Sequence, residues 1–116
     1  MYTIYHNSRC SKSRQTLALL EEKASESDAE ITIVEYLKTP LEKQVITSLL
    51  AQLECSPIEM MRTKETEFKE QNLKDASDDV LIDAMVNTPK LIERPIVSNG
   101  EKSIIGRPPE NVLSLF

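Results

Sequence analysis

The sequence is short of the residues on which several common functions depend. It has two cysteines, Cys10 and Cys55, and one histidine, His6, so zinc would lack its usual ligand set and no metal is expected. Acidic residues outnumber basic ones 19 to 14, a formal net charge of -5, which gives no support for bulk nucleic-acid binding. No apolar run approaches the ~20 residues that span a bilayer. The opening Met1-Tyr2-Thr3-Ile4 has no basic region ahead of an apolar core and does not read as a signal peptide. Two thiols without an export signal are read as reduced and cytoplasmic. There is no internal repeat or low-complexity tract. What is present, 116 residues that are 40% hydrophobic and 28% charged, suits one folded domain with a single core, and a monomer is expected.

The chain concentrates its chemistry in His6-Asn7-Ser8-Arg9-Cys10-Ser11-Lys12-Ser13-Arg14. A short apolar run, Tyr2 to Tyr5, precedes it, and Leu17, Leu20 and Ala24 follow at helical spacing. That pattern is strand, tight loop, helix, with Cys10 at or just before the first helical turn. The stretch carries Arg9, Lys12 and Arg14 and no carboxylate. A cysteine at a helix N-terminus among cations is a candidate thiolate. Lowering a thiol pKa by two units takes about 2.7 kcal/mol, whereas a helix terminus supplies about 0.3–1 and at most ~2 kcal/mol. A neighbouring cation or hydrogen-bond donor must add the rest, and His6, Arg9 and Arg14 are the local candidates.

Along the chain, residues 2–6 read as a strand, 11–24 as a helix and Ile31-Thr32-Ile33-Val34 as a β-branched strand, a βαβ unit with parallel strands. Thr39-Pro40-Leu41-Glu42 has the capping-box pattern of a helix start, continued by Val45, Ile46, Leu49, Leu50 and Leu53. Ser56-Pro57-Ile58-Glu59 repeats the start signal. One more short helix is expected between Thr63 and Leu73, and Ser77 caps another that carries Leu81, Ile82 and Met85 and stops before Pro89. Residues 40–88 thus form a helical insertion. Leu91 to Val97 then enters a strand, Asn99-Gly100 is the strongest hairpin turn, and Ser103-Ile104-Ile105 returns. Gly106-Arg107-Pro108-Pro109-Glu110 opens a last helix with Val112, Leu113 and Phe116 inward. A βαβ unit, an insertion and a ββα unit make an α/β chain of thioredoxin-like fold, with a four-stranded mixed sheet. In that fold a proline before the third strand packs against the reactive cysteine. Pro95 falls at that place, with a cis peptide expected.

Spacing removes other thiol chemistries. Ser13 stands where a Cys-x-x-Cys motif needs its second cysteine, and Thr16 where a phosphatase-type loop needs its arginine. Cys55 is read as a packing residue. What remains is one thiol with arginines from distant segments: Arg62, Arg94 directly before Pro95, and Arg107 at the mouth of the last helix. Guanidinium groups are planar, permanently charged donors that match tetrahedral oxyanions.

The chain resembles the glutaredoxin-coupled arsenate reductase family over nearly its whole length. The segments that carry the resemblance are His6-Asn7 with Cys10-Ser11-Lys12-Ser13-Arg14, Glu35-Tyr36-Leu37-Lys38-Thr39-Pro40, Arg62-Thr63-Lys64-Glu65, Leu91 to Val97, and Ile105 to Glu110. The resemblance implies that Cys10 is the nucleophile, that Arg62, Arg94 and Arg107 hold the oxyanion, and that His6 lowers the thiol pKa. Ser13 and Arg14 are expected to donate hydrogen bonds near the sulfur. It implies no permanently bound cofactor, with glutathione as co-substrate and glutaredoxin as partner. Loss of Arg94 is expected to weaken oxyanion handling and leave thiol reactivity largely in place. Two readings of the same fold stand beside this one: a glutathione-dependent thiol reductase or glutathione-binding protein, and a thiol-sensing regulator that binds RNA polymerase. Such regulators typically carry a dithiol switch, which Ser13 removes.

Overall fold

The computed structural model describes residues 1–116. Four strands, β1 (Tyr2–Tyr5), β2 (Ile31–Val34), β3 (Ile96–Ser98) and β4 (Ser103–Ile105), form one sheet in the order β2-β1-β3-β4. β1 and β2 are parallel, and β1–β3 and β3–β4 are antiparallel. This is the mixed sheet of a thioredoxin-like fold. The crossover between the parallel strands is helix α1 (Ser11–Glu26).

The sheet belongs to the first of two compact units, residues 1–39 with 94–116. Strand alternation places side chains of alternate residues on one face, and pairing aligns Ile4 with Val97 and Val97 with Ile104. Ile4 and Val97 join Leu20 of α1 and Val112 and Leu115 in a buried cluster, with Tyr2, Leu17, Leu19, Ile31 and Ile104 packed around it. The buried face of α1 is Ser13, Thr16, Leu20 and Ala24, and Leu17 is only half-buried. Two polar residues thus hold the N-terminal half of the inward stripe, which an apolar period does not reveal.

The C-terminal segment departs from expectation. It is a 3-10 helix, Pro109–Leu115, rather than an α-helix opening near Gly106. A three-residue period brings Val112 and Leu115 inward and leaves Leu113 and Phe116 exposed. Phe116 stacks on Tyr2 with ring centroids 4.7 Å apart. The hairpin loop spans Asn99 to Lys102, since Ser98 pairs with Ser103. Gly100 takes φ +98°, and Asn99 Oδ1 accepts from the Glu101 and Lys102 amides. The Arg94-Pro95 bond is cis as expected, and Arg107-Pro108 is cis as well.

The second unit, residues 40–93, is the inserted one. It holds α2 (Lys43–Leu53), α3 (Thr66–Glu70), α4 (Asp78–Asn87) and 3-10 turns at Pro57–Met60 and Pro89–Leu91. Ser77 caps α4, its Oγ accepting from the Val80 amide. The start signal at Thr39-Pro40 does not open α2, which begins at Lys43 with Glu42 as an extended N-cap. The Lys38 and Thr39 amides are committed to the Glu35 carbonyl, and Leu41 is buried. Pro89–Leu91 is a 3-10 turn, Ile92 makes an isolated bridge to Met61, and β3 starts at Ile96, directly after Pro95.

Candidate active site

Cys10 is the N-cap of α1, in extended conformation with φ -95° and ψ 123°. Two backbone bonds lock its place: its amide donates to the Asn7 carbonyl at 3.0 Å, and its carbonyl accepts from the Arg14 amide at 3.0 Å. The helix thus starts at the residue after the cysteine, and its first free amides surround the half-buried sulfur. Burial of the sulfur opposes ionisation. The Ser13 amide, the Arg94 charge, the Lys12 amide and a hydrogen bond from the Arg94 side chain outweigh it, and the thiol is held below its ordinary value. Because the thiolate is the nucleophilic form, this is the chemical asset of the site.

His6 is buried and its Nδ1 lies 2.7 Å from Ser13 Oγ. The Asn7 amide donates to the same Oγ at 3.0 Å. Burial lowers the His6 pKa, with Glu35 opposing that shift, Arg14 adding to it and Glu21 opposing it. A neutral imidazole leaves Nδ1 as an acceptor for the Ser13 hydroxyl proton, which assigns the remaining ring proton to Nε2. His6 therefore grips Ser13, whose amide serves the sulfur. Arg14 is exposed, and its Nη1 donates to the Ser8 carbonyl at 2.9 Å. Its bond closes the loop before Cys10.

Arg94 stands one residue ahead of Pro95. The Pro95 carbonyl accepts from the Gly106 amide at 2.8 Å, and Thr16 Oγ1 reaches the Gly106 carbonyl at 3.1 Å. A Cβ on Gly106 would lie 2.7 Å from Thr16 Cγ2 and Oγ1 and 3.0 Å from Pro95 Cγ. This three-way crossing of α1, the β3 entry and the β4 exit fixes the backbone that presents Arg94. The Arg94 guanidinium is among the groups that lower the Cys10 pKa, so its loss is predicted to affect the thiol as well as any oxyanion. Arg107 follows Gly106 on the exposed stretch before Pro109. Arg62 lies in the second unit, where Nη2 pairs with Glu65, and Lys90 bridges Glu65 at 3.5 Å and Glu67 at 3.4 Å. Cys55 is a free thiol in that unit, with its pKa raised by burial and by Glu59.

A profile of the ArsC family matches residues 5–115. The chain belongs to the ArsC family. Among its ArsC-family relatives, it is 50% identical to the Escherichia coli K12 protein YfgD over 97% of this chain and 93% of that one. It is 44% identical to the arsenate reductase of Haemophilus influenzae, over 97% of each chain. A solved structure of an arsenate reductase from Vibrio cholerae superposes with a TM-score of 0.90 at 44% identity, covering 99% of this chain and 97% of that one.

Sequence reasoning missed three features of this ArsC-family site. The Lys12 and Ser13 amides contribute as backbone, and no residue type announces them. The Thr16–Gly106 crossing had a signal, since Gly106 is one of only two glycines. The Glu65–Lys90–Glu67 chain that anchors Arg62 joins residues too far apart in sequence to be paired by spacing.

Proposed function

We propose that the protein is an arsenate reductase that draws electrons from glutathione and glutaredoxin. The observation that carries the reading is a Cys10 sulfur at a helix N-terminus whose pKa is held down, against burial, by the Ser13 and Lys12 amides and the Arg94 guanidinium, a combination that suits a nucleophile working on a tetrahedral anion. Membership of the ArsC family and the relatives named arsenate reductase support the substrate.

In the proposed reaction Cys10 thiolate attacks arsenic, forming an S–As bond, and a protonated oxygen leaves as water. Arg94, Arg62 and Arg107 hold the oxyanion and spread the charge that develops on its oxygens. Glutathione thiolate then adds to arsenic and displaces a second oxygen as water. The two sulfurs next join as a disulfide, both As–S bonds break, one electron pair stays on arsenic, and a water from solvent adds to the two-oxygen arsenic(III) species to give arsenite. Cys10 is left as a mixed disulfide with glutathione, which a glutaredoxin thiol removes by exchange. With no second cysteine at position 13, the resolving sulfur comes from outside.

The test is arsenite production by the purified protein with glutathione and glutaredoxin, set against Cys10→Ser. The wild type should turn over and the variant should lose all activity while keeping its far-ultraviolet dichroism. A mixed disulfide on Cys10 without arsenite would make the protein a glutathione-dependent thiol reductase instead.

A further inference from the structure

At the carboxyl ends of the parallel strands β1 and β2 lies a cleft of about 250 Å³, lined by His6, Asn7, Ser8, Arg9, Glu35, Leu37 and Lys38. Its two walls are the loops that follow the two strands, joined by the His6 amide donating to the Val34 carbonyl at 2.8 Å. The carboxyl ends of parallel strands are where open α/β sheets bind ligands, because the loops diverge there. The wall ends on the residue before Cys10, and Asn7 of the lining is bonded to the Cys10 amide. Neither Cys10 nor Arg94 lines the cleft, so a ligand there leaves the sulfur and its guanidinium open.

The charges at the rim are two cations, Arg9 and Lys38, and one carboxylate, Glu35, which pairs with Lys38 at 3.4 Å. Leu37 adds an exposed apolar side chain. Glutathione carries the reverse set, two carboxylates and one ammonium, on a short peptide with an apolar methylene stretch. We propose that this cleft seats the peptide part of glutathione and so delivers its sulfur to Cys10. The proposal rests on the reading of Cys10 as the reacting sulfur and assigns the second substrate its own place. Reduction of an arsenic adduct needs the peptide thiol while the oxyanion still occupies the thiolate, and a separate cleft beside the loop allows both together.

The test uses thiol–disulfide exchange, which needs no arsenate. In a Cys55→Ser background, Cys10 thiolate attacks one sulfur of glutathione disulfide. A new S–S bond forms, the old one breaks, and one glutathione leaves as thiolate and takes a proton from solvent. Rates are followed by intact mass and compared with those for hydroxyethyl disulfide, which is uncharged. Lys38→Glu should slow the glutathione reaction about three- to tenfold at low ionic strength and leave the uncharged reaction unchanged. Arg9→Gln should act in the same direction. The difference should fade near ~0.5 M salt, where exposed charges are screened. Equal slowing of both disulfides, or no change in either, overturns the assignment. Because arsenate is absent, the rate ratio reports on the cleft whether or not the protein makes arsenite.

Discussion

At the scale of single residues, the protein places its two thiols in opposite environments. Cys10 is lowered because two amides and a guanidinium outweigh its burial, and Cys55 is raised because burial and Glu59 act together. Alkylation by iodoacetamide follows the thiolate. Its rate at Cys10 should rise through a midpoint below that of an ordinary thiol, and the rate at Cys55 through one above it. Peptide mass mapping across a pH series reads both. In Arg94→Ala the Cys10 midpoint should move upward, and an unmoved midpoint would rule out the guanidinium as a thiolate partner. His6 gives a second pH effect. Its folded pKa lies below the ordinary 6.5 because the ring is buried. As pH falls below about 6.5 the unfolded chain therefore takes up a proton that the folded chain refuses, and stability is lost. His6→Asn keeps a polar contact for Ser13 and cannot titrate. Urea midpoints at pH 7.5 and 5.5 should accordingly differ less in this variant than in the wild type.

At the scale of elements, much was legible because local rules and tertiary structure agree. β2 and β4 fall at 31–34 and 103–105 as their β-branched runs indicate, and Ser77 caps α4 where the sequence places a start. The failures have separate local causes. Thr39-Pro40 has the letters of a capping box, yet the Thr39 amide is already used by the Glu35 turn. The final segment winds with a three-residue period, so Leu113, inward on an α-helical count, faces solvent. The inward side of α1 begins with Ser13 and Thr16: one serves His6 and Asn7, and the other bonds Gly106. That crossing predicts a sharp size limit. Gly106→Ala puts a methyl within 2.7 Å of Thr16, an overpacking that costs about 1–3 kcal/mol. Thermal unfolding should shift down by several degrees, and Thr16→Ser in the same chain, which removes Cγ2, should recover part of the loss. A stable Gly106→Ala protein would mean that the crossing yields more easily than its distances imply.

At the scale of the whole molecule, the arginines proposed to hold the oxyanion do not all belong to one compact unit. Cys10, Arg94 and Arg107 belong to the first, and Arg62 to the second. The sequence showed each arginine and the order of the elements, but the anchoring of Arg62 depends on Glu65 and on Lys90, 25 positions further along the chain, and neither pairing has a sequence signature. The proposed mechanism asks different things of these arginines, and the difference is measurable. In that mechanism Arg94 both helps to lower the thiol pKa and meets the oxyanion, so Arg94→Ala should raise the Cys10 alkylation midpoint and lower arsenate kcat/KM together. Arg62 pairs with Glu65, so Arg62→Ala should lower arsenate kcat/KM and leave the alkylation midpoint where it is. Losing one charge-assisted hydrogen bond to the oxyanion is worth about 1.5–3 kcal/mol, roughly a ten- to hundredfold drop. Glu65→Ala, which removes the anchor and keeps the guanidinium, should give a smaller loss carried mainly by KM. If Arg62→Ala turns over arsenate at the wild-type rate, the second unit supplies structure alone and the oxyanion is handled within the first.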